Sequence, residues 1–112
     1  MNPEHQRIAI AEACGWSARK DKDGFWRAVD ASGDMRYALW MSERNVWSAG
    51  TPDYLNDLNA MHEAENDVLT TAQMTTMGQY LHQRLGMLWG FATASQRAEA
   101  FLRTIDKWEA SQ

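Results

Sequence analysis

Two clusters of turn-forming residues, Asp21-Lys22-Asp23-Gly24 and Asp30-Ala31-Ser32-Gly33-Asp34, constrain this chain more than any other feature. Asp and Gly supply the backbone angles that tight hairpin turns need. The stretches around them, Trp16 to Lys20, Phe25 to Val29 and Met35 to Trp40, are rich in aromatic residues and favour strand. Two hairpins in succession make an antiparallel meander. Alternation in its third strand puts Met35, Tyr37 and Leu39 on one face and Arg36, Ala38 and Trp40 on the other, so both faces are expected to be partly covered. Asn45 to Ser48 reads either as a fourth short strand or as a loop whose Trp47 folds back on the sheet, and Gly50-Thr51-Pro52 ends either one.

Helical spacing flanks the meander. Ile8, Ala11 and their apolar neighbours predict a first helix from Glu4 to Cys14, with Gly15 at its stop. Beyond Pro52, Leu58, Met61, Val68 and Leu69 line one stripe of a second helix capped by Asn56 or Asp57, with its acids gathered toward the start. Met74, Met77, Tyr80, Leu81 and Leu85 mark another helical stretch from about Thr71 to Leu85, and the pattern leaves open whether it continues the previous helix. Thr93-Ala94-Ser95-Gln96 has the form of a capping box, opening a last helix that buries Ala98, Phe101, Leu102, Ile105 and Trp108. Helix, meander, helices is an α+β order in which helices cover a short antiparallel sheet. The 112 residues fit a single domain, 1–112, with no internal repeat or linker.

Composition limits what such a domain does. The one cysteine, Cys14, allows no internal disulfide and no cysteine-based zinc site, which suits a reducing compartment. The start, Met1-Asn2-Pro3-Glu4-His5, lacks the features of a signal peptide and no apolar run is long enough to span a membrane, so a cytoplasmic protein is expected. The net charge of −4 lies entirely in the second half, where residues 51–70 hold five acids and no base. Phosphate binding needs a basic surface, and the densest basic group is Arg19-Lys20-x-Lys22, so direct nucleic-acid binding is disfavoured.

Motifs for chemistry are scarce. His62-Glu63-Ala64-Glu65 suggests a metal or acid–base site, but the zinc-protease pattern would need a second His where Asn66 stands. Cys14, at a helix end beside apolar residues, reads as a buried thiol rather than a nucleophile. No phosphate loop, nucleophile elbow, dinucleotide motif or cofactor motif occurs. Six tryptophans are many for this length; Trp16 and Trp108 fall where helices dock. Trp26, Trp40 and Trp47 lie near Arg27, Arg36 and Arg44, a pairing typical of binding hot spots, and equally of a sheet face covered by helices.

Three segments carry a resemblance: Arg7-Ile8-Ala9-Ile10-Ala11-Glu12-Ala13-Cys14-Gly15-Trp16, the stretch from Pro52 through Asp57-Leu58-Asn59-Ala60-Met61-His62-Glu63-Ala64-Glu65, and Ala92-Thr93-Ala94-Ser95-Gln96-Arg97-Ala98-Glu99-Ala100-Phe101-Leu102-Arg103-Thr104-Ile105. In order and spacing they resemble the phage ABA sandwich domain family of small phage and prophage proteins. The resemblance implies an α-β-α sandwich and brings no catalytic residues; any shared site would use Asp57, His62, Glu63 and Glu65. The long aromatic middle, Phe25 to Trp47, departs from the family pattern and is where an activity particular to this chain is expected. The resulting expectation is a phage accessory protein, not an enzyme, that binds a host protein or protein complex, such as an anti-CRISPR inhibitor of a defence effector. The alternative is a protein that sequesters a signalling nucleotide, stacking the base on Trp and meeting phosphates with Arg27, Arg36 or Arg44. Oligomeric state stays open, a homo-oligomer included.

Overall fold

The computed structural model describes residues 1–20, 22–33, 35–41, 46–47 and 50–109, the stretch 35–41 by its backbone. Helix α1 spans Pro3–Ala13; strands β1, β2 and β3 span Ser17–Lys20, Trp26–Val29 and Met35–Met41. Helices α2, α3 and α4 span Leu58–Val68, Thr71–Leu85 and Ala94–Thr104, and a 3-10 helix, Gly86–Phe91, joins the last two. The chain is an α+β fold with a short antiparallel sheet of order β1-β2-β3.

Each of the α-helices α1 to α4 starts with a side-chain oxygen that satisfies amides left free in the first turn. Asn2 accepts from the His5 amide at 2.8 Å, with Pro3 at the first helical position, where its missing N–H costs nothing. Asp57, not Asn56, caps α2, accepting from the amides of Asn59 and Ala60 at 3.0 and 3.3 Å. Thr93 and Gln96 form the expected capping box. Thr70 and Gln73 form a second one, which separates α2 from α3.

Hydrophobic burial concentrates between helices. Met61 of α2, Ile10 and Ala11 of α1, and Ala98, Phe101 and Leu102 of α4 are fully inaccessible, with Met77 and Leu81 of α3 nearly so. Helix α4 packs on α1, α2 and α3, and these contacts are more extensive than those between any helix and the sheet. The buried face of α2 is Ala60, Met61, Ala64 and Glu65, whereas Leu58, expected on that stripe, is 41% exposed because it sits directly after the cap. The acids of α2 also depart from expectation: none lies in its first turn, and Glu63, Glu65 and Asp67 occupy its second half. Helix α4 ends at Thr104, so Ile105 and Trp108 pack on the core from beyond the helix.

Among the described residues, two close approaches tie the sheet to the rest of the chain. Gly15, at φ +92, ends α1 with its α-carbon so near the β2–β3 turn that an added Cβ would lie 2.6 Å from the Ala31 Cβ. At Gly50 a Cβ would lie 2.8 Å from the Ala28 Cβ and 2.6 Å from the Val46 carbonyl oxygen. Val46 and Trp47 are helical, not strand, and Val46 is fully buried. The Gly50 amide donates to the Val46 carbonyl at 2.9 Å and the Thr51 hydroxyl to the Trp47 carbonyl at 2.7 Å, which closes this turn. Between β2 and β3 the register slips: Ala28 faces Arg36, but Trp26 faces Met41 rather than Ala38. Simple alternation therefore does not define a continuous face along β3.

Gly15 and Gly33 share a φ near +90, and nothing lies within 4 Å of a Cβ built at Gly33. Alanine at either position incurs the left-handed strain, roughly 1–2 kcal/mol. Only at Gly15 does overpacking against Ala31 add about 1–3 kcal/mol. We predict that Gly15→Ala is the more destabilising of the two in urea denaturation; equal losses would mean that the α1–turn contact carries no load.

Candidate interaction surface

The largest exposed apolar side chains of the described residues cluster where α3 turns into α4. Met87 is 93% exposed, Phe91 83%, Leu88 65% and Trp89 44%. The local sequence explains this. Gly86, at φ +59, stops α3, and the next six residues wind as a 3-10 helix before Ala92 turns extended and Thr93 caps α4. In a 3-10 helix, side chains three apart eclipse one another. Leu88 and Phe91 therefore share an edge, while Trp89 lies on another. The run is short, apolar on every side and held between two capped helices, and it stands as a ledge that none of the described residues covers.

Beside the ledge lies a groove of about 250 Å³ lined by His62, Glu65, Asn66, Met74, Met77, Gly78, Leu81, Trp89 and Arg97. Its apolar floor is the buried pair Met77 and Leu81 of α3, and Met74, 39% exposed, stands on its wall. At its base the guanidinium of Arg97, on α4, donates from Nε to Glu65 Oε2 at 2.9 Å and from a terminal nitrogen to Glu65 Oε1, tying α4 to α2. The two side chains are only 16% and 8% exposed. The pair neutralises the groove's one carboxylate and one guanidinium. The surrounding sequence adds little charge: from Val68 to Gln96 the only Asp, Glu, Lys or Arg is Arg84, whose guanidinium lies 3.8 Å from Glu99.

The residues expected to form a site are dispersed. Asp57 is committed to capping α2. His62 and Glu63 are exposed on different sides of α2: His62 borders the groove, and Glu63 borders a separate cleft with Cys14, Trp16, Tyr54 and Asp67. Glu65 is buried in its ion pair rather than presented to solvent. Trp26 and Arg27 are half-buried on β2, opposite Lys20 and Arg19 of β1. Trp47 packs on the helical core. Arg36 and Trp40 belong to β3, with their side chains outside the described residues, as all of Arg44 is. The ledge itself was missed as a site. Its signal was an unbroken apolar run, Met87-Leu88-Trp89, ending in Gly90-Phe91 and fitting neither the helical nor the strand period.

The cleft around Cys14 has the makings of reactivity but the wrong electrostatics. Burial pushes the Cys14 thiol above its ordinary 9.0, with the Asp67 carboxylate adding to the effect and a hydrogen bond to Tyr54 opposing it. Burial likewise raises the Tyr54 phenol, and the neighbouring Cys14 raises it further. The Tyr54 oxygen also accepts from Trp16 Nε1 at 3.1 Å. A nucleophile or base needs the opposite displacement. Among the described residues, no group of three or more His, Cys, Asp or Glu side chains is arranged to hold a metal ion, and no helix is long and apolar enough to cross a membrane. No family model, curated protein or solved structure matches the chain.

Two predictions arise from these groups. Breaking a buried ion pair by removing one partner costs roughly 3–5 kcal/mol, whereas replacing both with apolar residues is often neutral. Arg97→Met should therefore lower the unfolding free energy by about 3 kcal/mol, and the double variant Glu65→Leu/Arg97→Met should regain most of it in urea denaturation. A double variant no better than the single one would refute this assignment. For Cys14 and Tyr54, the folded chain holds protons that the unfolded chain releases as pH rises past 9.0 and 10.0 respectively. The unfolded state then binds fewer protons, so stability is full below these values and falls above them. Tyr54→Phe should flatten the alkaline part of the stability–pH curve; an unchanged slope would exclude Tyr54 as its source.

Proposed function

We propose that this chain works by binding another protein, without catalysis, and that it does so through the uncharged apolar face made by α3 and the 3-10 ledge. The observation that carries the reading is the exposure of Met87, Leu88 and Phe91 on a fixed turn between two capped helices. The largest contiguous apolar patch on a soluble monomer is often its functional surface. The scattering of Asp57, His62, Glu63 and Glu65 over a cap, two separate surfaces and a buried ion pair supports the absence of chemistry.

The resemblance of three segments to the phage ABA sandwich family supports a finer reading. In it, the chain is a phage or prophage accessory protein, and its target is a macromolecule of the bacterial host cell. Inhibition of a defence effector, as by an anti-CRISPR protein, is the concrete form we adopt. Sequestration of a nucleotide is the weaker reading, since Trp47, one of its proposed stacking residues, is engaged with the helical core.

Affinity purification of the tagged chain from a bacterial lysate tests the proposal. The unmodified chain should retain a protein in stoichiometric amount, and the Met87→Asp/Phe91→Asp variant should lose it. Hot-spot substitutions cost about 2 kcal/mol or more, so roughly thirtyfold in affinity. Undiminished recovery by the variant would reject the ledge as the docking surface.

A further inference from the structure

We infer that in the free protein this face is covered by the same face of a second copy of the chain, as a two-fold homodimer. The inference rests on the reading of α3 and the ledge as an interaction surface, and it names the occupant. A closed two-fold interface must be self-complementary, because each patch meets its own image. Here a projection and a recess lie side by side. The edge formed by Leu88 and Phe91 projects, and the groove between α2 and α3 recedes, with Trp89 at the boundary between them. Rotated by half a turn, the ledge of one copy faces the groove of the other, and the reverse holds at the same time.

Charge selects a second copy over a charged partner. A two-fold axis sets like against like, so a patch with net charge would repel itself. Between Val68 and Gln96 the single charged residue, Arg84, lies beside Glu99, and the Arg97 guanidinium is bound to Glu65. The remaining polar groups of α3 are Thr and Gln, apart from Tyr80 and His82. The net charge of −4 is therefore carried elsewhere on the chain, and a partner recruited by charge would be directed elsewhere too. Homodimer interfaces form the more apolar class, with charges depleted at their centre.

Gly78 supplies an independent observation. Glycine inside a helix is destabilising relative to alanine, yet a Cβ at this position would meet nothing within 4 Å. The packing within one copy does not require a glycine here. Gly78 lines the groove, and a glycine there lets an incoming side chain rest against the helix backbone. Area agrees with this arrangement. Phe91, 83% exposed, offers most of the roughly 150–250 Å² that a buried large aromatic contributes. With Leu88 on the same edge, and Trp89 and Met74 lining the groove, each copy presents several hundred Å², a large part of the ~800 Å² per partner of a stable interface.

Sedimentation equilibrium or light scattering on the purified chain, from micromolar to millimolar concentration, is the test. The mass should rise from 12.8 kDa toward twice that value as concentration increases. Phe91→Asp should weaken dimerisation at least tenfold. Gly78→Leu, which fills the groove while favouring helix, should do the same with undiminished helical circular dichroism. A monomer throughout the range, or a dimer indifferent to both variants, overturns the inference. If the chain is monomeric while Met87→Asp/Phe91→Asp still loses its lysate partner, the dimer is rejected and the binding proposal stands; if that variant loses neither dimer nor partner, both fall.

Discussion

Helix α4 touches α1, α2 and α3, and its edge of Ala98, Phe101 and Leu102 is where their apolar faces converge. The rest of the molecule is arranged around that convergence. Thr93 fixes where α4 begins, and Arg97, one turn on, reaches back to Glu65 and pins α2 at a chosen angle and depth. On another side of the helix, Glu99 accepts from the Tyr80 hydroxyl at 2.7 Å, and Arg103 lies over the rings of Tyr80 and Trp108. Apolar contact supplies the driving force, which is non-directional. The polar contacts, whose geometry is demanding, choose one packing among the several that the apolar faces would allow.

The sheet depends on the helices in a different way. Among its described side chains the buried ones, Ala28 and Val29, are small, and close contacts with the rest of the chain occur where glycine permits them, at Gly15 against Ala31 and Gly50 against Ala28. Trp16 reinforces the junction by donating to Tyr54. A short sheet needs a hydrophobic face or a helix packed on it for stability. Among the described residues the ties to the sheet come from the end of α1 and from Val46 and Gly50.

Local rules made much of this fold legible. Asp and Gly clusters predicted the hairpins, and the Thr93–Gln96 spacing predicted the start of α4, because turns and caps are decided within four residues. The same four-residue form, Thr70-Thr71-Ala72-Gln73, stands at the start of α3, where continuity with α2 was left open. The candidate site was less legible. Glu65 was expected beside His62 and Glu63 in a polar site, whereas it is buried against a partner 32 residues away that no local spacing could name. Trp47 carried the composition of a hot spot, yet a tryptophan's exposure depends on what folds over it. The register slip opposite Trp26 had no counterpart in the local pattern of β3.

The ledge poses the opposite problem, because its exposure follows from local structure alone. Six residues of 3-10 helix cannot gather their side chains on one face: with three residues per turn, the chains point to three edges. A connection between α3 and α4 needs no large apolar groups for this purpose; Ser, Asn or Asp would span it and remain hydrated. Leaving Met87, Leu88 and Phe91 in water forgoes about 25 cal/mol for every Å² that burial would remove from solvent. Gly86 and Gly90 add the conformational entropy that glycine loses on ordering. Among the described residues, no packing within one copy compensates for this choice, since Met87 and Phe91 lie outside the core. The docking surface proposed above would supply that compensation, and it would have to be as free of charge as the face it meets.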